Sequence, residues 1–128
     1  MYLLDTNFII HLTKQDPSCI AFVKHHPLSE VFTCSVVNAE LYYGAFKSKK
    51  THEVLNHLKK INIFECLNFD EECAFFYGEI RNTLQRAGKP IGPNDLMIAA
   101  IALKYDFTLV TRNLREYSAV PNLKLLGY

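Results

Sequence analysis

Three acidic residues stand in settings that do not suit ordinary surface charges. Asp5 follows the apolar run YLL and leads into TNFII, and Asp95 opens LMIAAIA. Glu40 lies within VVNAELYY. Carboxylates brought together without basic partners repel; at 4 Å two unit charges cost about 4 kcal/mol at an effective dielectric of 20. A divalent cation removes that cost. An all-oxygen ligand set favours Mg²⁺ or Mn²⁺ over Zn²⁺. A hard cation held by a few carboxylates, with water left in its shell, suits phosphoryl chemistry. Each acid alone has a plainer reading. Asp5 can cap a helix, Glu40 can be a solvated helix residue, and Asp95 in a first helical turn is favoured by the helix dipole. The chemical reading therefore depends on whether the fold brings all three to one place.

The elements are read from periodicity. Tyr2–Leu4 is a short strand, and Thr6 or Asn7 is expected to cap a helix running to about Thr13. Pro17–His26 reads as a helix with Pro17 near its first turn. Val31–Cys34 is rich in β-formers, and Ser35 is expected to cap a helix reaching about Lys49. A helix follows over about His52–Lys60, with Val54, Leu55, Leu58 and Ile61 as its apolar stripe, then a strand at Ile63–Leu67. Asp70–Ala87 carries Cys73, Phe76, Tyr77, Ile80, Leu84 and Ala87 at three- and four-residue steps, and Gly88 ends it. Pro93 sits where the next helix starts; Leu96–Lys104 is apolar almost all round, which predicts a buried helix. Phe107–Thr111 is a strand and Leu123–Leu126 a short edge.

Short strands alternating with helices predict parallel βαβ units, hence a three-layer α/β/α sandwich around a small, mainly parallel sheet. In such sheets sites form beyond the carboxyl ends of the strands. A helix returning to a parallel strand begins at that same edge. Asp5 ends the first strand. Glu40 lies in the second turn of the helix leaving the second. Asp95 lies in the first turn of the buried helix, and Thr111, Arg112 and Asn113 end the strand that helix feeds. Thus 35 residues separate Asp5 from Glu40 and 55 separate Glu40 from Asp95, yet topology drives them to one edge.

Composition supports this reading by exclusion. The chain has 128 residues, one domain's worth, with 49% hydrophobic and 21% charged residues, which excludes a disordered chain. No apolar run approaches the ~20 residues of a membrane helix. The N-terminus has no basic segment or small-residue cleavage site, so no secretory signal is read and a cytoplasmic location is expected. Formal net charge is +1, so bulk charge neither favours nor excludes a nucleic-acid partner. Cys19, Cys34, Cys66 and Cys73 lie far apart with no paired spacing, which argues against a structural zinc site and suggests reduced thiols serving as small core residues. The five histidines form no metal-binding pattern.

Four segments, taken together, carry a specific resemblance: LLDTNFII at 3–10, SVVNAELYYGAFKS at 35–48, GKPIGPNDLMIAAIA at 88–102 and LVTRNLREYSAVPNLKL at 109–125. In this order, and across nearly the whole chain, they resemble a PIN-domain ribonuclease, closely the VapC-type toxins of bacterial toxin–antitoxin pairs. The resemblance implies one PIN-like nuclease domain over residues 1–128, a metal-dependent endoribonuclease. It implies that Asp5, Glu40 and Asp95 are the acidic ligands of Mg²⁺ or Mn²⁺, with Thr6 and Thr111 supporting them. Asn113 falls where many PIN domains carry a fourth acid. An amide oxygen can ligate but brings no charge, so a tight second metal site is not expected; Glu116, one turn on, is the nearest substitute. The resemblance further implies a VapB-type antitoxin that places a basic side chain in the acidic site, a homodimer, and a transfer or ribosomal RNA substrate.

Arg112, Lys89, Lys47, Arg86 and Arg115 are candidates to hold the RNA backbone, Arg112 and Lys89 foremost because they neighbour the acids in sequence. Lys49 and Lys50 read as solvated charges. Tyr42, Tyr43 and Tyr77 are expected to pack between helices rather than stack on bases, and Phe75 and Phe76 lie on opposite sides of one helix. Two rival readings remain at this point. One is a non-catalytic RNA- or protein-docking module. The other is a haloacid-dehalogenase-type phosphatase with Asp5 as nucleophile, which position 7 disfavours because it is Asn rather than a second Asp.

Overall fold

Strands of only three or four residues are stable when both faces are covered, and here they are. The computed structural model describes all residues 1–128. Strands β1 (Tyr2–Leu4), β2 (Val31–Cys34), β3 (Glu65–Leu67), β4 (Thr108–Val110) and β5 (Lys124–Leu126) form one sheet in the order β3-β2-β1-β4-β5. Every pairing is parallel. Leu3 and Leu4 on the central strand are fully buried, and all four residues of β2 are buried, the pattern of strands sealed by helices on both sides.

The helices are α1 (Thr6–Thr13), α2 (Pro17–His25), α3 (Ser35–Lys47), α4 (Thr51–Ile61), α5 (Glu71–Arg86), α6 (Pro93–Tyr105) and α7 (Leu114–Tyr117). Helix α6 is the internal pillar: Leu96, Ile98, Ala99, Ala100, Ile101 and Ala102 are all buried. Its all-round apolarity is why it lies inside, since each large aliphatic side chain removed from water gains about 1.5–3 kcal/mol. Helix α5 shows only one apolar face, burying Cys73, Ile80 and Leu84, and packs beside α6. Gly88 follows α5 at φ +68°, a left-handed turn that a residue without Cβ adopts freely. No helix is long and apolar enough to cross a membrane.

Several local expectations change. The cap of α1 is Asp5 itself, whose Oδ1 accepts the Phe8 N–H at 2.8 Å, rather than Thr6 or Asn7. Ser35 is the first helical residue of α3, not its cap; its hydroxyl accepts the Phe69 N–H at 3.1 Å and ties the helix to the segment after β3. That helix stops at Lys47, and β3 starts at Glu65. The turn of helix α7 was not visible as a periodic segment because it is four residues long. Cys66 is exposed, unlike the other three cysteines.

Strand order reverses between β1 and β4: the chain runs outward one way through β2 and β3, and the other way through β5. That reversal opens a crevice at the carboxyl ends of β1 and β4. Asp5 and Thr111 are the next residues on either side of it.

Candidate active site

At the crevice the Thr111 hydroxyl donates to Asp5 Oδ2 at 2.6 Å, linking the ends of β1 and β4 across 106 residues of sequence. Asp5 is only 6% exposed and Thr111 is fully buried. Both Asp5 oxygens are thereby anchored, one by the α1 backbone and one by β4. Helix α3 brings Glu40, whose Oε1 accepts the Thr6 hydroxyl at 2.6 Å, so the residue beside Asp5 holds the second acid. Helix α6 brings Asp95 in its first turn.

Asp5, Glu40 and Asp95 line one open cleft of about 670 Å³ with Thr6, Asn7, Ser35, Asn94 and Tyr43. No lysine, arginine or histidine lines it. The carboxyl of Asp5 is pushed above its usual range chiefly by burial; the Thr111 and Phe8 hydrogen bonds oppose this, and the Asp95 charge adds to it. Asp95 is raised for the same first reason, then by the charges of Glu40 and Glu116. Both shifts come first from burial, which disfavours the charged form. The three acids share the cleft without closing on one point: no three Asp, Glu, His or Cys side chains converge tightly enough to enclose an ion alone.

In the core lies a residue the sequence reading passed over. Tyr117, at the end of α7, is 1% exposed, and its hydroxyl has no hydrogen-bond partner of acceptable geometry. Burial pushes its hydroxyl well above the ordinary phenol range, and the negative charges of Asp95, Asp5 and Glu40 add to this. A buried hydroxyl left without a partner costs about 1–3 kcal/mol. The available signal was the step of four from Asn113 in LREY, which places Tyr117 and Asn113 on one side of a helical turn.

The other candidates separate. The Asn113 side-chain amide donates to Glu116 Oε2 at 2.9 Å, and its backbone N–H donates to the Thr111 hydroxyl at 3.0 Å; neither Asn113 nor Glu116 lines the cleft. Lys89, Arg86 and Arg115 are exposed outside it. Lys47 is exposed near the end of α3, 5.9 Å from the Tyr43 ring centre. Arg112 has a different occupation from the one expected. Its Nη2 donates to Asp16 at 2.8 Å, its Nε to the Tyr128 carbonyl at 3.1 Å, and its guanidinium lies 4.5 Å over the Tyr128 ring. A planar guanidinium engaged at its edge and its face is a clamp within the chain rather than a free phosphate contact. Tyr42 and Tyr43 do not pack between helices: they are 52% and 68% exposed, and Tyr43 stands at the cleft lip. Phe75 is exposed while Phe76 packs against the core; their rings lie edge to face 6.3 Å apart rather than on opposite sides of α5.

A family model for the PIN domain matches residues 2–122. The chain belongs to the PIN-domain family. Within it, the chain is 37% identical to "Ribonuclease VapC2" of Rickettsia felis, over 98% of this chain and 96% of that protein. It is 35% identical to the "tRNA(fMet)-specific endonuclease VapC" of Salmonella typhimurium, over 97% of this chain and 95% of the other. Among solved structures, the VapBC2 complex of Rickettsia felis bound to a promoter DNA fragment superposes with a TM-score of 0.93 at 35% identity, covering 99% of this chain and 98% of the matched one. These relatives place this PIN-domain chain with the VapC group, and the expected α/β/α sandwich is the fold observed.

Proposed function

We propose that this chain, as one domain over residues 1–128, is a metal-dependent endoribonuclease and the toxin of a toxin–antitoxin pair acting in the cytoplasm. The observation that carries the reading is the cleft that three carboxylates line with no basic side chain among its lining residues. Asp5, Glu40 and Asp95 are the residues that would hold Mg²⁺ or Mn²⁺. Their oxygen-only chemistry and partial burial fit a hard cation, which would supply charge neutralisation in the cleft. When bound, such an ion lowers the pKa of a ligated water and screens charge on phosphate oxygens.

The chain's own residues do the rest. Thr111 and the Phe8 N–H fix Asp5, and Thr6 fixes Glu40, so neither carboxylate has to reorganise when substrate arrives. Asp95, the carboxyl lifted by burial and two acidic neighbours, is suited to accept a proton from the attacking water. Water adds to phosphorus opposite O3′ as that proton passes to the carboxylate. The P–O3′ bond breaks and O3′ takes up a proton, leaving a 3′-hydroxyl and a 5′-phosphate. Asn113, uncharged and bonded to Glu116, supports one well-held ion rather than two. Exposed Lys47, Lys89, Arg86 and Arg115 are proposed to track the RNA backbone.

The relatives named above suggest transfer RNA as the substrate class and a VapB-type antitoxin as partner; the negative cleft suits a basic side chain of that partner. A homodimer completes the assembly. The test is direct. Purified chain is incubated with total transfer RNA and ribosomal RNA, with Mg²⁺, with Mn²⁺ and with chelator, and product ends are analysed. Metal-dependent cuts bearing 5′-phosphate, lost in Asp5→Asn, are expected. A 2′,3′-cyclic phosphate end would overturn the mechanism, and an Asp5→Asn chain as toxic to cells as the parent would point instead to a docking module.

A further inference from the structure

The cleft has an apolar side that the reading above does not use. Beside the acids it is lined by Val36, Ala39, Tyr43 and Met97. A metal ion and a phosphate have no need of such a wall; a planar nucleobase does. Val36, Glu40, Tyr43 and Lys47 follow one another on α3 at steps of four, three and four, which keeps them on one face of the helix. That face therefore runs from the acidic cleft to an aromatic ring and on to a cation. The Tyr43 ring is 68% exposed, is not packed on the core, and has the Lys47 ammonium 5.9 Å from its centre. The two exposed aromatics beside it are placed differently. Tyr42 lines a separate hollow toward α4 with Leu55 and Leu58, and Phe46 lines neither that hollow nor the cleft.

We infer that Tyr43 is a stacking platform for a nucleobase beside the phosphate that is cut, with Lys47 holding the next phosphate of the same strand. This rests on the ribonuclease reading and deepens it. An exposed ring adds little to the core, so the fold does not account for its place at the cleft lip. A ring offers two faces: Lys47 stands over one, and the exposure leaves the other for a base. Glu40 lies three residues before Tyr43 and seven before Lys47, about 4.5 Å and about 10 Å along the helix axis. Acid, ring and cation thus succeed one another along α3 in the order scissile phosphate, base, next phosphate. Base–aromatic stacking depends on the ring and tolerates any base, whereas a lysine acts on the backbone through charge. A second copy of this chain or a protein segment would also cover an exposed ring. The cation over Tyr43 and the continuity with the acidic cleft favour RNA.

Two probes separate ring from charge: a short single-stranded oligoadenylate and an abasic ribose-phosphate oligomer of the same length. Binding is followed by fluorescence anisotropy with Mg²⁺ in the full-length Asp5→Asn chain, which the proposed mechanism leaves unable to cut, alone and combined with Tyr43→Leu, Tyr43→Phe or Lys47→Gln. Tyr43→Leu is expected to weaken oligoadenylate binding about 5- to 100-fold and to leave the abasic oligomer unchanged. Tyr43→Phe should keep the affinity of the chain with Tyr43. Lys47→Gln should weaken both oligomers alike and lower the slope of log affinity against log salt by about 0.7. Melting temperature and light-scattering mass should not move with Tyr43→Leu. Equal loss for both oligomers, loss for neither, or no binding at all would overturn the inference. So would a Tyr43→Leu chain that binds oligoadenylate normally but has lost half its mass, which would give the ring to a contact between copies. One that melts well below the parent would give the ring to the fold and overturn it too. Cleavage by the parent is scored apart. A parent that cuts RNA with Mg²⁺ beside an indistinguishable Tyr43→Leu sinks the inference alone. A parent that binds oligoadenylate through Tyr43 and cuts nothing sinks the ribonuclease reading while the base platform stands.

Discussion

Two groups of carboxylates in this chain are treated in opposite ways. Outside the cleft, Asp70 meets Lys104, Asp16 meets Arg112 and Asp106 meets Lys124. The Lys104 ammonium pulls Asp70 down to about 2, and Arg112 holds Asp16 below its usual value. No lysine, arginine or histidine lines the cleft that holds Asp5 and Asp95; only the charge of His11 opposes the shift of Asp5 from outside it, and both carboxyls are raised. The chain can supply basic partners, and does so three times; at the sheet's switch point it supplies hydroxyls and a backbone N–H instead. Hydroxyl donors orient a carboxylate without neutralising it. On the proposed reading, the cleft's charge is left for something from outside to balance: a cation in the active form and an antitoxin's basic side chain in the silenced one.

The largest effect should come from erasing one of those charges. Asp95→Asn is expected to reduce cleavage by about 10³-fold, which corresponds to about 4 kcal/mol of transition-state stabilisation. It should also raise the melting temperature of the metal-free protein. The sign follows from linkage. A carboxyl whose folded pKa lies above its ordinary value of 3.8 binds its proton more tightly when folded, so stability falls as pH rises through that window and stays lower at neutral pH. The amide carries no charge and escapes that cost. Mn²⁺ should then lift the melting temperature of the parent and leave the variant unmoved. Melting curves and cleavage rates at pH 7 check both halves; a variant less stable than the metal-free parent would erase the distinction between the two groups of acids.

Breaking an anchor rather than an acid should do less. Thr111→Val strips Asp5 Oδ2 of its donor in a fully buried place, so cleavage is expected to fall ~10–100-fold and stability by about 1–3 kcal/mol. Thr111→Ser restores the hydroxyl and should restore most of both. Thr6→Val, at the half-exposed bond to Glu40, should show the same pattern more weakly, because water can replace the lost donor there. Denaturant midpoints beside cleavage rates separate the cases. If Thr6→Val proved the more damaging, Glu40 rather than Asp5 would be the acid whose orientation matters most.

How much of this was visible in the residues differs between backbone and side chains. The strands and six of the seven helices were legible because each has a periodic apolar pattern or a stop signal, as with Gly88 after α5 and Pro93 at the start of α6. The gathering of Asp5, Glu40 and Asp95 in one cleft followed from the parallel topology, which fixes the edge at which strand ends and helix starts meet. What could not be read were the pairwise partnerships. Sequence neighbourhood suggested that Arg112, adjacent to Thr111, faces the acids; it turns instead to Asp16, 96 residues away. Tyr43 reads as one more aromatic of a buried helix, but α3 keeps its core face for Val37, Leu41 and Ala45. Tyr117 was hidden inside a helix too short to show a period. Rotamer direction and long-range pairing depend on the packed whole, and no local pattern encodes them.

The smallest effect belongs to the neutralised acids. Lys104→Met keeps most of the side chain's apolar stem and removes the charge that faces Asp70. Asp70 has a folded value depressed below 3.8, so its contribution to stability is present above that value and is lost as pH falls toward about 2. Parent and variant should therefore differ modestly in urea midpoint at pH 7, the parent being more stable, and converge near pH 2. Cleavage at pH 7 should be the same for both, since Lys104 lies at the far end of α6 from Asp95. The Asp95→Asn pair should behave in the opposite sense: the variant is the more stable at pH 7, and the gap closes on the acid side as the parent's carboxyl takes up its proton. Opposite signs at neutral pH with a common closing at low pH would tie the contrast to charge. A gap for Lys104→Met that stayed constant down to pH 2 would instead assign it to the packing of the lysine stem against α5.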